Sequence, residues 1–275
     1  METQIEIKEL SSFKESTQVP YYQILLFDKG AQAEIDFTSY SFSSNAALFL
    51  TPYQLLTWKT PPSGPIKVLR FHGDFYCIEY HKKEVACNGI LFNNIYETPL
   101  LTLSPEFFEQ ISSLFLEISA LEKQNTSFDL SVKRSYLQLI LALCSKEKQK
   151  ELKEKSDLEP RDPFLEFQEL LEKHLMESRP LSFYSEKFGV SENVLSKKVK
   201  KLFGKSPLRL IQERRVLEAK KLLHLTHYSI KEISHQMGFQ DEYYFSRFFK
   251  NEVGVPPKEF REKVGISIVA EKSME

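Results

Sequence analysis

The chain has 275 residues, 41% of them hydrophobic and 27% charged, with 9 Gly and 13 Pro. That is the composition of a globular chain of about two domains, and it excludes collagen-like, low-complexity and largely disordered classes. The formal net charge of −1, taken over the whole chain, argues against a partner whose phosphates must be neutralised by Lys and Arg.

The opening residues carry no apolar stretch of the kind a signal peptide needs. Cys77, Cys87 and Cys144 lack CxxC spacing, which argues against a disulfide scaffold and a thiolate zinc site. The most apolar helical run, Leu137 to Cys144, is far short of the roughly 20 residues that span a bilayer. A cytoplasmic protein without a membrane anchor is expected.

From about Tyr21 to Tyr96 the pattern is of short strands. Glu34 to Phe37 and Ser39 to Phe42 alternate polar and apolar, Ala47 to Leu50 is continuously apolar, and Leu55 to Trp58 and Ile66 to Phe71 follow. Regularly spaced short strands predict a small barrel or sandwich. After the cap Ser104-Pro105-Glu106 the period changes: Phe107, Ile111, Leu114, Ile118 and Leu121 trace one helical stripe, and Val132, Tyr136, Leu139 and Leu143 a second. Phe115, Leu137, Ile140 and Leu141 widen both stripes. The hairpin, residues 104–145, is therefore a candidate homodimer surface, and burial of both faces within one chain accounts for the pattern equally well.

Residues 146–161 are mostly charged and carry Pro160 at their end, before Arg161, which predicts a solvated linker. It divides the chain into residues 1–145 and 162–265. Residues 1–159 hold 16 basic and 21 acidic side chains, a net of −5, whereas residues 160–265 hold 20 and 15, a net of +5. The near-zero total is a cancellation, and the basic part is free to meet a polyanion.

That basic part is helical throughout by pattern. A helix over Phe183 to Phe188, the break Gly189-Val190-Ser191 and a helix over Glu192 to Phe203 form a helix-turn-helix arrangement, in which the second helix can enter a major groove. A long helix starts at Pro207. The pattern then recurs, with Ser229 capping Ile230 to Met237, a turn at Gly238-Phe239, and a helix over Asp241 to Asn251. In the first recognition helix Val194, Leu195, Val199 and Leu202 are expected to be buried. In the second, Tyr244, Phe245, Phe248 and Phe249 are.

The run Arg215 to Leu223, Ser229-Ile230-Lys231-Glu232-Ile233, Gly238-Phe239, Tyr244 to Lys250, Gly254, and Pro257 with Phe260-Arg261 closely resembles the AraC/XylS family of bacterial transcription regulators. The resemblance covers Asp162 to Arg261. It implies two helix-turn-helix units on a linker helix, and an N-terminal cupin-like β-barrel with a helical hairpin that senses a small-molecule effector or dimerises. It also implies RNA polymerase as a partner and a role in transcription regulation such as that of an activator. Ser185 and Ser234 stand where the family usually has Ala, Val199 where it has Phe, and Pro256 where it has Thr. The fold expected is thus multi-domain α and β: a cupin-like β-barrel with a helical hairpin, then an all-α double helix-turn-helix domain.

Double-stranded DNA is the expected partner. The exposed face of the first recognition helix offers Asn193, Ser196, Lys197 and Lys200. That of the second offers Glu242, Tyr243, Ser246, Arg247 and Lys250. Asn suits adenine and Lys or Arg the acceptors of guanine, while basic residues farther along the helix suit phosphates. In the N-terminal part Trp58, Arg70 and His72 are candidates for an effector pocket, Trp58 serving equally well as core. An enzyme of cupin type is the alternative reading. The segment from His72 through Asp74, Glu79 and His81 lacks an HxH pair, and its residues split between two faces if extended, so no metal, cofactor or catalytic residue is expected.

Overall fold

The computed structural model describes residues 4–76, 90–121, 127–158, 162–177 and 179–266. The chain divides into two units, the first made of Met1–Asn94 and Thr98–Leu152, the second of Ile95–Glu97 and Lys153–Glu275.

The first unit contains strands β1 (Ile5–Leu10), β2 (Ser16–Thr17), β3 (Tyr22–Phe27), β4 (Ala31–Ile35), β5 (Thr38–Phe42), β6 (Ala46–Leu50), β7 (Leu56–Thr60), β8 (Ile66–Phe71) and β9 (Leu100–Thr102). All described pairings are antiparallel, in a five-stranded sheet of order β1-β8-β3-β6-β9 and a four-stranded sheet of order β2-β7-β4-β5. Every residue of β3 is buried, because both faces of the larger sheet are covered. Leu25 and Phe27 face Ala33, Ile35, Leu56 and Trp58 of the smaller sheet. Ile24 and Leu26, one step along, face the helices. This alternation explains why Ile24 to Phe27 of β3 and all of β6 are continuous apolar runs, whereas β4 and β5 alternate. Asp36 and Phe37, expected in a strand, have positive φ of 44° and 71° and form the tight turn between β4 and β5.

A closed cupin-like barrel is therefore not what this sequence builds: its strands form two open sheets, and the unit is mixed α and β. Period-two alternation specifies which side chains point inward, and a barrel and a pair of stacked sheets satisfy it equally. The outer face of the larger sheet is closed off by helices.

Those helices are α1 (Pro105–Ala120) and α2 (Ser127–Leu158). Pro105 opens α1, and Ser104 Oγ accepts a hydrogen bond from the Phe107 N–H at 3.2 Å, the arrangement that satisfies an otherwise orphaned donor. Ile111, Phe115 and Ile118 of α1 and Leu137, Ile140, Leu141 and Cys144 of α2 are fully buried against the sheet. The buried stripe of α2 is thus rotated from the expected one. Val132 and Leu139 are 41% and 44% exposed, with Phe128 and Leu116 more open still. The helix also continues to Leu158 through residues expected to be linker, since Lys, Glu and Leu are good helix formers.

The second unit holds a 3₁₀ turn at Pro163–Leu165, α3 (Glu166–His174), a second 3₁₀ turn at Leu175–Glu177, α4 (Leu181–Lys187), α5 (Glu192–Phe203), α6 (Pro207–Leu225), α7 (Ile230–Gln236), α8 (Glu242–Val253) and α9 (Pro257–Val264). Its first core gathers Phe167, Leu171, Tyr184, Leu195, Val199 and Leu210. An aromatic chain through Phe239, Phe245, Phe249 and Phe260 fills the C-terminal part.

Candidate nucleic-acid interface

The turn between α4 and α5 contains Gly189 at φ +62°, where an added Cβ would meet nothing within 4 Å. Glycine is required there by backbone conformation, not by crowding. Ser191 Oγ then caps α5 by accepting from the Val194 N–H at 3.4 Å, and Gly204 closes the helix at φ +70°. In the second helix-turn-helix pair Asp241 caps α8 through the Tyr244 N–H at 2.7 Å, and Gly254 closes it at φ +86°. Both helices are 12 residues long, and their N-caps stand at 191 and 241. The same device occurs twice, fifty residues apart. Each helix has a Glu in its first turn and Lys in its last, the order that the helix dipole favours.

The buried positions repeat as well. Leu195 and Val199 of α5 correspond to Phe245 and Phe249 of α8, all with 0% exposure. Val199, smaller than the family's usual Phe, sits in a core whose bulk comes from Phe167 and Tyr184, 5.5 Å apart between ring centres. Of the residues expected to face DNA, Asn193, Lys197, Lys200, Glu242, Tyr243, Arg247 and Lys250 are exposed, and Ser196 and Ser246 are half-buried. Lys198 lies over the Phe164 ring at 5.8 Å, packing within the unit.

Two residues expected in the core lie outside it. Val194 is 42% and Tyr244 63% exposed, and they occupy the same position of their respective helices. The signal was available: each stands one residue before a fully buried Leu195 or Phe245, a step of about 100° around a helix.

The long helix α6 holds both helix-turn-helix pairs through its charged face. Arg215 donates to the Met237 carbonyl at 2.9 Å and lies 4.3 Å from the Phe239 ring centre. Burial pulls its guanidinium below the ordinary arginine range, and the ring faces supply part of the lost solvation. Arg214 pairs with Glu172 at 2.8 Å and Glu218 at 3.0 Å. Burial opposes its charge, but the two carboxylates outweigh that and raise its pKa. Glu172 also accepts from the Tyr96 hydroxyl at 3.0 Å, and the Tyr96 ring packs edge-on to Phe203. Burial, followed by the Glu172 charge, pushes the Tyr96 phenol well above its usual range.

The pocket candidates each have partners. Trp58 is buried between the sheets, edge-on to Phe13 at 5.6 Å. Arg70 donates to Gln23 Oε1 at 3.0 Å and pairs with Glu6, and His72 Nδ1 lies 3.3 Å from Asp74. Cys77, Glu79, His81 and Cys87 lie outside the described residues. Among the described residues no cluster of three or more His, Cys, Asp or Glu side chains could hold a metal, and no helix is long and apolar enough to cross a membrane.

The family of helix-turn-helix domains matches residues 184–263. Over 77 residues the chain is 38% identical to the HTH-type transcriptional activator Btr of Bacillus subtilis, covering 28% of this chain and 15% of that protein. Over 92 residues it is 30% identical to the activator RhaS of Salmonella schwarzengrund, covering 34% and 33%. The chain thus spans a third or less of the length of these relatives. Among solved structures, the C-terminal domain of the response regulator yesN of Fusobacterium nucleatum is 34% identical, covering 34% of this chain and 93% of that one, with a TM-score of 0.33. ToxT of Vibrio cholerae is 18% identical, covering 95% and 97%, with a TM-score of 0.41. Residues 184–263 are a helix-turn-helix domain.

Proposed function

We propose that the chain is a sequence-specific DNA-binding transcription regulator that places α5 and α8 in successive major grooves on one face of the duplex. The observation that carries this reading is the repetition of one device, two capped 12-residue helices on either side of α6, in the part of the chain that holds the +5 charge. Asn193, Ser196, Lys197, Glu242, Tyr243, Ser246 and Arg247 address base edges, and Lys200 and Lys250, near the helix ends, address phosphates. Val194 and Tyr244 add an apolar and an aromatic surface suited to thymine methyl groups. The names of the relatives, both transcriptional activators, support an activator over an enzyme; RNA polymerase as its partner and the cytoplasm as its location complete the proposal.

Residues 1–145 act as the regulatory part, with 146–161 as the connection to residues 162–265. The exposed apolar positions Leu116, Phe128, Val132 and Leu139 favour a homodimer through the helices. An effector that binds near Trp58, Arg70 and His72 would have to displace the contacts these side chains already make. Selection of bound sequences from random DNA with the purified chain tests the central reading. A recurrent motif with two blocks about one helical turn apart is expected, with affinity falling steeply as salt rises. Recovery of unselected sequence, or affinity independent of salt, would refute it.

A further inference from the structure

The two recognition helices do not share one apolar core. The core around α5 gathers residues of α3, α4, α5 and the first turn of α6, whereas α8 packs in the aromatic chain of Phe239, Phe245, Phe249 and Phe260. A line of four alternating charges runs between them. Lys205, two residues beyond the end of α5, places its Nζ 2.7 Å from Glu213 Oε2. The other oxygen of Glu213 lies 2.9 Å from Arg209 Nε, one turn away on α6. Arg209 then reaches Glu252, in the last turn of α8, at 2.9 Å. Side-chain exposure along the line is only 10–20%, so salt screens it far less than a surface pair.

The geometry is that of a brace between the C-terminal ends of α5 and α8. Apolar packing resists separation but tolerates sliding, since one apolar contact is readily exchanged for another. A guanidinium shared between two carboxylates has fixed directions and holds one arrangement. Burial works against the charge of Arg209, but Glu213 and Glu252 together hold its pKa above the ordinary arginine range.

We propose that the line Lys205–Glu213–Arg209–Glu252 sets the separation and rotation of the two recognition helices, and so determines the spacing between the two blocks of base pairs that the chain accepts. These four side chains are positioning residues: they touch no base and act through α5 and α8. The proposal rests on the DNA-binding reading above. One inserted base pair moves the second block by about 3.4 Å and turns it by about 35°, a change that a braced pair of helices cannot follow and a loosened pair can.

The experiment uses the full chain and the sequence it selects, together with versions of that sequence lengthened and shortened by one base pair between the blocks. For the native chain a loss of at least tenfold is expected for either change. For Glu252→Gln and for Arg209→Gln the loss should shrink to about threefold or less, while affinity for the original spacing falls by no more than a few-fold. The double variant should shrink it no further than either single one. Variants that melt within a few degrees of the native chain and keep its tenfold spacing penalty overturn the proposal.

A second measurement needs no DNA. With Cys77 and Cys87 replaced by Ser, spin labels at Lys201→Cys and Asn251→Cys report the distance between the helix ends. Glu252→Gln should broaden that distribution, and an unchanged one overturns the proposal. Failure to select any DNA sequence would refute the functional reading instead, and the label distances would still decide whether the brace exists.

Discussion

Ser185 and Ser234 are equivalent small residues of the two helix-turn-helix units, and their surroundings set opposite expectations. Ser185 Oγ donates to the Ser182 carbonyl at 3.0 Å. Ser234 is fully buried, and its hydroxyl has no hydrogen-bond partner among the described residues. An unsatisfied buried hydroxyl costs about 1–3 kcal/mol, so Ser234→Ala should raise the melting temperature, whereas Ser185→Ala should leave it unchanged or lower it. Thermal melts of the two variants check the contrast. On the recognition face Arg247 is exposed, and no carboxylate is paired with it among the described ion pairs. If it reads a base, Arg247→Ala should cost about 1–3 kcal/mol of specific binding and relax the preference at one position. A titration against the selected sequence and its single-base variants measures both. Such outward-facing residues were legible in the sequence where a buried neighbour fixed the phase. Val194 and Tyr244 show the converse, since hydrophobicity alone placed them inside.

Among the elements, the short helix α7 depends most on its first turn. Ser229 Oγ accepts from the Glu232 N–H at 3.2 Å, and the Glu232 carboxylate accepts from the Ser229 N–H at 2.7 Å, a reciprocal capping box. Ser229→Ala should cost about 1 kcal/mol. The Ser229 backbone N–H, and then its hydroxyl, hold the Glu232 carboxyl below the ordinary carboxylate range. A depressed folded-state pKa contributes stability above the unfolded pKa and loses it as pH falls through the folded one. The melting difference between the native chain and Glu232→Ala should therefore narrow on acidification below about pH 4.3, which melts at two pH values would show. Caps of this kind made the second unit readable: Ser191, Ser206, Ser229 and Asp241 all begin helices where the sequence places them. The sheets were less readable, because alternation gives the inward face of a strand but not whether the outermost strands meet. The phase of helix α2 is not legible in the sequence, since Leu137, Ile140 and Leu141 compete with Val132 and Leu139 for the buried stripe and only the sheet beneath decides.

Across the whole molecule the charge is divided into a net −5 for residues 1–159 and +5 for residues 160–265. The net charge of −1 is the sum of these opposite values and describes neither part. The apolar positions left open on α1 and α2 bear on assembly. Native protein is expected to sediment as a dimer and the double variant Val132→Lys, Leu139→Lys as a monomer, with the fold of both confirmed by circular dichroism.

The second unit is not one continuous stretch of chain. Ile95–Glu97 belong to it, with the Ile95 carbonyl accepting from Lys205 at 3.1 Å and Tyr96 bonded to Glu172. No single cut in the sequence therefore releases it whole, and a fragment starting at Lys153 leaves Lys205 and Glu172 each short of a partner. The same arrangement imposes an order on biosynthesis. Ile95–Glu97 leave the ribosome long before α5 and α6 exist, so the second unit is completed only when the last helices have been made.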